Sequence, residues 1–197
     1  MFTGIIKEVG RVTKILKSNS LNKLSISSKI LYQNSVISDS IACSGVCLTV
    51  TNKEKGTIFF DAIKPTLEKT NLKRLKIGDF VNLESSLKLQ DKVGGHFVLG
   101  HIDSEAKLKR KIQKSNYWNL EIELPLSFRK NIVENGSVAI EGISLTVKKV
   151  FPRYFTVDII PFTYENTNLK YKRIGDWLNI EFDYLLKSQM SADKYHR

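Results

Sequence analysis

The chain is poor in several residue types that mark specialised folds. Its 197 residues include 2 cysteines, 4 prolines and 11 glycines, which excludes a disulfide-stapled miniprotein and a collagen-like repeat. Cys43 and Cys47 are four apart in one apolar segment. No CxxC pair is present to suggest a redox couple or a structural zinc site. No run approaches eighteen apolar residues, and Lys7 and Glu8 interrupt the start. The expectation is therefore a chain with neither a membrane span nor a secretory signal, working inside the cell. Arginine is scarce: of 31 basic residues 24 are Lys and 7 Arg. The surplus of +11 could attract polyanions, but readers of nucleic acid lean on Arg for bidentate contacts. A lysine-rich solvated surface explains the charge more simply, including the run Lys107 to Lys111.

What the chain does have is an internal repeat. At a shift of 97, Ser40–Val50 (SIACSGVCLTV) falls on Ser137–Val147 (SVAIEGISLTV), Phe60–Leu72 on Val157–Leu169, and Ile77–Glu84 on Ile174–Glu181, with 18 of 32 positions identical. The openings correspond at a shift of 96, around Gly4 and Gly100. Two homologous halves follow, 1–95 and 96–183, joined near the DKVGG turn at Asp91 to Gly95, with a tail over 184–197. Alternation such as Leu24-Ser25-Ile26-Ser27 and Leu120-Glu121-Ile122-Glu123 reads as short strands. Several strands per half, with turn signals between them, predict a small closed antiparallel barrel in each. Short helical turns are expected near Pro65 to Asn71 and Phe162 to Asn168. A tail helix would carry an apolar face of Leu185, Leu186 and Met190 and serve oligomerisation.

Certain residues stand out chemically. On a strand, Leu48 and Val50 would seek the core and Cys47 and Thr49 the opposite face. Ser144 and Thr146 repeat that arrangement in the second half. Of the histidines, 96, 101 and 196, the first two lie in GGHFVLGHID at the junction; their spacing disfavours a shared metal. His101 aligns with Ile5, which places a group titrating near neutrality at one of two otherwise similar pockets. Asp61 with Thr66, and Asp158 with Thr163, offer hydroxyls and carboxylates to a polyhydroxylated ligand or cap turns.

The opening MFTGI, the paired GVCLTV and GISLTV, the GGHFVLGHID junction and the two TNL…IGD segments together resemble riboflavin synthases of the two-barrel type over residues 1 to about 187. The resemblance implies tandem six-stranded antiparallel Greek-key barrels of flavin type and a short C-terminal helix. It implies dismutation of two 6,7-dimethyl-8-ribityllumazine molecules into riboflavin and 5-amino-6-ribitylaminouracil by a cytoplasmic homotrimer, with no metal and no organic cofactor. Lumazine synthase is a candidate partner; nucleic acid and membrane are not expected partners.

Carried onto this sequence, one lumazine would meet Gly4, Ile5 and Ile6, then Cys47, Leu48 and Thr49, then Asp61, Ala62, Ile63, Lys64, Pro65 and Thr66. The other would meet His101, Ile102 and Asp103, then Ser144, Leu145 and Thr146, then Asp158, Ile159, Ile160, Pro161, Phe162 and Thr163, with Asn135 nearby. Residues assisting chemistry would be Ser40, Cys47, His101, Ser144, Thr146 and Asp183. His101 leads as proton acceptor for a substrate methyl group. The chain departs from the family pattern at Ser44, Glu141, Lys64-Pro65 and Asn135. Two other readings are a lumazine or flavin carrier of the same lineage without turnover, and a tandem OB-like nucleic-acid-binding module.

Overall fold

The computed structural model describes residues 1–195. Twelve strands form the framework of the described residues: β1 Glu8–Lys17, β2 Leu21–Ser27, β3 Ser40–Cys43, β4 Val46–Glu54, β5 Thr57–Ile63 and β6 Phe80–Ser85, then β7 Ser104–Gln113, β8 Trp118–Glu123, β9 Ser137–Ile140, β10 Ile143–Val150, β11 Tyr154–Ile159 and β12 Trp177–Phe182. The first six close in the order β1-β2-β5-β4-β3-β6, and the second six repeat that order as a closed ring. All pairings are antiparallel. Closure leaves no free sheet edge.

The alternation seen in the sequence fills the barrels. Leu24, Ile26, Ile41, Ile58, Phe60, Val81 and Leu83 form the first core. Their counterparts Leu120, Ile122, Val138, Phe155, Val157, Leu178 and Ile180 form the second. Each such side chain, fully removed from water, stabilises the fold by about 1.5–3 kcal/mol. Long strands must bend to close so small a ring, and the bends repeat too: register shifts lie between Val12 and Lys14 and between Leu108 and Arg110, and again between Val50 and Asn52 and between Val147 and Lys149.

Among the described residues four α-helices, α1 Ile30–Asn34, α2 Lys64–Lys69, α3 Pro161–Glu165 and α4 Tyr184–Tyr195, and three short 3-10 helices, Asn71–Arg74, Leu126–Asn131 and Asn168–Lys170, accompany the strands. In α2 and α3 a proline stands in the first turn, where its missing N–H costs nothing. On α4, Leu185 is exposed and Leu186 half-buried; the Met190 side chain and His196 lie outside the described residues. No helix among the described residues is long and apolar enough to cross a membrane.

The halves meet across a polar seam. Asn71 N donates to Asn179 Oδ1 and Asn168 N to Asn82 Oδ1, a reciprocal pair of bonds between equivalent residues. At its centre Glu141 is fully buried. Its carboxylate accepts from the side chains of Asn71 and Asn168 and from Asn179 N, and Lys172 Nζ lies 2.9 Å away. The repeat counterparts of Glu141 and Lys172 are Ser44 and Leu75, so one half supplies both charges.

Candidate functional site

Each barrel presents the expected small polar pair. On β4, Leu48 and Val50 are buried while Cys47 is half-buried and Thr49 exposed; on β10, Val147 is buried and Leu145 packs on the core, while Ser144 is half-buried and Thr146 exposed. The period of two along a strand produces both faces. Ser40 stands beside Thr49 in the β3–β4 pairing.

The segments flanking these strands cross between barrels. Phe2 and Val98 exchange backbone hydrogen bonds as an isolated antiparallel bridge. From that bridge residues 2–6 run over the second barrel: Gly4 O accepts from Ser144 N at 2.9 Å, and Ile6 packs on the second core. Residues 98–103 run over the first: Gly100 O accepts from Cys47 N at 3.0 Å, and Ile102 packs on the first core. The sequence reading groups Gly4, Ile5 and Ile6 with Cys47, and His101, Ile102 and Asp103 with Ser144. The hydrogen bonds reverse that grouping. Segments equivalent by repeat each serve the other half's strand, an exchange that alignment within one half does not reveal.

Two buried carboxylates hold the straps. Glu84 accepts from Thr3 N, Thr3 Oγ1 and Gly4 N, at 2.8, 2.8 and 3.0 Å. Its counterpart Glu181 accepts from Leu99 N, Gly100 N and His101 N. Burial pushes both carboxyl groups above the ordinary glutamate range, against the opposing pull of those donors. Glycine is required at both crossings. Gly4 has φ +75°, and a Cβ there would lie 2.6 Å from Ser144; Gly100 has φ +80°, and a Cβ would lie 2.6 Å from Cys47 Cβ.

The histidines are arranged differently from expectation. His101 is exposed, and its backbone follows the strap over Cys47, not Ser144. His96, which the sequence reading left without a role, places Nδ1 2.7 Å from Ser144 Oγ. Burial lowers its pKa below the ordinary histidine value, with Asp183 pulling the other way. Cys47 and Ser144 are thus each adjoined by a histidine-bearing segment. The signal available beforehand was the Gly94-Gly95 pair: a Cβ at Gly95 would lie 2.2 Å from Thr3 O and 2.6 Å from Ser144 Cβ, so only glycine lets His96 approach.

Other named residues divide between ligand-ready and structurally committed. Asp158 Oδ1 accepts from Asn119, its neighbour across the β8–β11 pairing, at 2.7 Å. Asp61 and Ala62 lie on β5, Asp61 half-buried and Ala62 buried, and Ile159 is buried at the end of β11. Lys64, Pro65 and Thr66 open α2, and Pro161, Phe162 and Thr163 open α3. The carbonyls of Thr66 and Thr163 accept from Thr70 and Thr167 hydroxyls. Ile63, Ile160 and Phe162 are 54%, 60% and 74% exposed, apolar side chains open at the same end of each barrel. Asp103 is committed: its carboxylate accepts from Phe182 N and pairs with Lys187 of α4 at 2.7 Å. Asp183 accepts from Leu185 N at the start of α4. Asn135 turns the chain at φ +61°, a conformation Asn tolerates.

Among the described residues no group of three or more His, Cys, Asp or Glu is arranged to hold a metal ion. The aromatics an OB-like reader would display are mostly used inside: Phe60 and Phe182 are buried, and Trp177 is covered by Arg74 and Lys107.

Comparison with known proteins follows the same division of the chain. The lumazine binding domain matches twice, over residues 3–86 and 99–183. In the solved structures of LumP complexed with 6,7-dimethyl-8-(1'-D-ribityl) lumazine and with riboflavin, the fold is shared at TM-scores of 0.85 and 0.87 and 21% identity, over 92% of this chain and 99% of that one. The riboflavin synthase of Buchnera aphidicola subsp. Schizaphis graminum is 40% identical over 93% of this chain and 89% of its own length. That of Bacillus subtilis is 36% identical over 95% and 87%, and that of Chlamydia muridarum 37% over 98% and 94%. With the family matched in both halves and relatives alike over nearly the whole length, the chain belongs to the riboflavin synthase family and is an enzyme of that type.

Proposed function

We propose that this chain converts two molecules of 6,7-dimethyl-8-ribityllumazine into riboflavin and 5-amino-6-ribitylaminouracil, moving a four-carbon unit from one to the other. The observation that supports it most is the doubling of one strand-and-strap arrangement with different chemistry in each copy: a strapped Cys47 in the first barrel and a strapped Ser144 in the second. A reaction between two like molecules needs two similar sites and a difference that makes one occupant donor and the other acceptor.

The substrate carries much of the reactivity itself. A methyl group on an electron-poor heterocycle loses a proton to give an anion delocalised over the ring, so the protein's task is mainly juxtaposition. Holding two rings in reacting geometry supplies roughly 7–11 kcal/mol, more than a single proton-transfer group of about 10²–10⁴-fold effect. Within one chain Cys47 stands on the first barrel and Ser144 on the second. The reading therefore takes the first-barrel pocket of one subunit to face the second-barrel pocket of a neighbour in a cytoplasmic homotrimer. Exposed Ile63, Ile160 and Phe162 support apolar contact at those faces. Lumazine synthase is the candidate partner.

Ligand assignments follow the crossed straps. One lumazine takes Cys47, Leu48, Thr49, the Asp61–Thr66 segment and the strap through His101 and Ile102. The other takes Ser144, Leu145, Thr146, the Asp158–Thr163 segment and the strap through Gly4, Ile5 and Ile6. His101, next to the Cys47 pocket, is the proton acceptor for the methyl group.

The test is incubation of the purified protein with the lumazine alone. Riboflavin and the aminouracil should appear in equal amounts. Tight binding of lumazine with neither product would make the chain a carrier and overturn the assignment.

A further inference from the structure

We propose that His96 is a positioning residue for Ser144: its imidazole Nδ1 takes the Ser144 hydroxyl proton as a hydrogen bond, so that Ser144 Oγ turns its lone pairs to the second-barrel pocket. The proposal rests on the dismutase reading for its catalytic consequence and on geometry for its substance.

The contact is built rather than incidental. Ser144 is held from three sides. Its backbone N–H donates to Gly4 O, its Cβ lies against the backbone of Gly4 and Gly95 so closely that neither position has room for a side chain, and His96 Nδ1 meets its Oγ at 2.7 Å. His96 is fixed in turn by its own backbone N–H, which donates to Thr3 O at 3.2 Å. Thr3 is anchored to buried Glu84. A chain of bonds thus runs from Glu84 through Thr3 and His96 to Ser144.

The two halves differ here: the strand residue facing the other strap is Cys47 instead of Ser144, so the hydroxyl that His96 meets has a thiol in its place in the first half.

A hydroxyl can either donate or accept, and its partner decides which. Neutral His96 with a bare Nδ1 accepts from Ser144, leaving Oγ as an acceptor toward a ring N–H or a water held against the ring. Protonated His96 donates to Oγ and sends the hydroxyl proton outward, reversing the polarity of the pocket wall. No covalent bond changes; one proton is taken up from solvent at the imidazole. The charged group acting on the imidazole is Asp183, at the join of β12 and α4. The residues facing it from the strap and from β10, Thr3 and Ser144, present neutral groups. Burial favours the neutral ring, and the accepting state is the tautomer of that ring with its proton on Nε2.

Three measurements decide this. In H96N, kcat for riboflavin formation should fall roughly 10–100-fold, less than loss of a direct general base, with KM little changed. H96N should change the acid limb of the kcat–pH profile, leaving only what the His101 base contributes; S144A should change it in the same way, and the double variant should be no slower than S144A. Nitrogen NMR of the unliganded protein should show an unprotonated Nδ1 at His96 that changes in S144A. An acid limb unchanged by H96N, additive losses in the double variant, or a protonated Nδ1 at neutral pH would overturn the proposal. Should the wild-type protein form no riboflavin at all, the dismutase reading fails, while the NMR arm still decides the His96–Ser144 relation. If H96N does not fold, S144A carries both the profile and the NMR comparison.

Discussion

The carbonyl of Gly4 accepts the amide of Ser144 at 2.9 Å although the two residues belong to different halves of the chain. Each half's strap thus bonds the other half's strand, and neither strap follows the barrel from which it was duplicated. The same carbonyl-to-amide bond joins Gly100 to Cys47.

Substitution at the crossings should damage the pockets separately. In Gly4→Ala the new Cβ meets the backbone and side chain of Ser144, and in Gly100→Ala that of Cys47, both in a left-handed conformation. Such strain costs about 1–3 kcal/mol where the backbone is held. Each variant should lose most of its activity. The alkylation rate of Cys47 should change in Gly100→Ala and stay near wild type in Gly4→Ala. The opposite pattern would restore the uncrossed grouping.

The two thiols should differ sharply toward an alkylating reagent. Cys43 is buried, and burial pushes its thiol well above the usual cysteine range, so little thiolate forms. Cys47 is partly open on β4. Mass spectrometry of the native protein after brief iodoacetamide treatment should find one modification, at Cys47, and saturating lumazine should slow it. Equal labelling of both cysteines would contradict the packing.

Removing the buried charges at the seam should have unequal effects. Glu141→Ala leaves Lys172 without its buried carboxylate and Asn179 N without its acceptor, and takes one of the acceptors of the Asn71 and Asn168 amides, at a cost of about 3–5 kcal/mol. Lys172→Met leaves Glu141 its bonds from Asn71, Asn168 and Asn179 and should cost less. Urea unfolding midpoints measure both. Equal losses would mean that the lysine, not the amides, holds the carboxylate.

Stability should also respond to His96. Its folded-state pKa lies below the ordinary value of 6.5, so the unfolded chain binds more protons as pH falls past that value. The stability contributed by the neutral ring is fully present above about pH 6.5 and is lost as pH falls through the lowered folded value. His96→Asn should flatten that part of the stability–pH curve. An unchanged slope would place the titration elsewhere.

Much of this molecule is legible in its sequence because its information is local and duplicated. Alternation in β4 and β10 put Leu48, Val50 and Val147 inside and Cys47, Thr49, Ser144 and Thr146 on the other face. A strand's period of two leaves no other outcome once one face is buried. The prolines of α2 and α3 and the paired TNL segments marked the short helices correctly. His96 was overlooked because its role depends on a partner 48 residues away. The seam left a quieter trace: Ser44 against Glu141 and Leu75 against Lys172 are two departures from the repeat that compensate each other in charge.

By itself, then, the sequence determined two barrels, their cores and the small polar groups each would display, since burial patterns and turn chemistry act over a few residues. Which strap covers which strand, which histidine reaches Ser144, and where a buried lysine finds its carboxylate were decided only when the two halves packed together. Hydrogen bonds such as Gly4 to Ser144 and Gly100 to Cys47 join residues far apart in the chain, and nothing in the local pattern around either partner specifies the other.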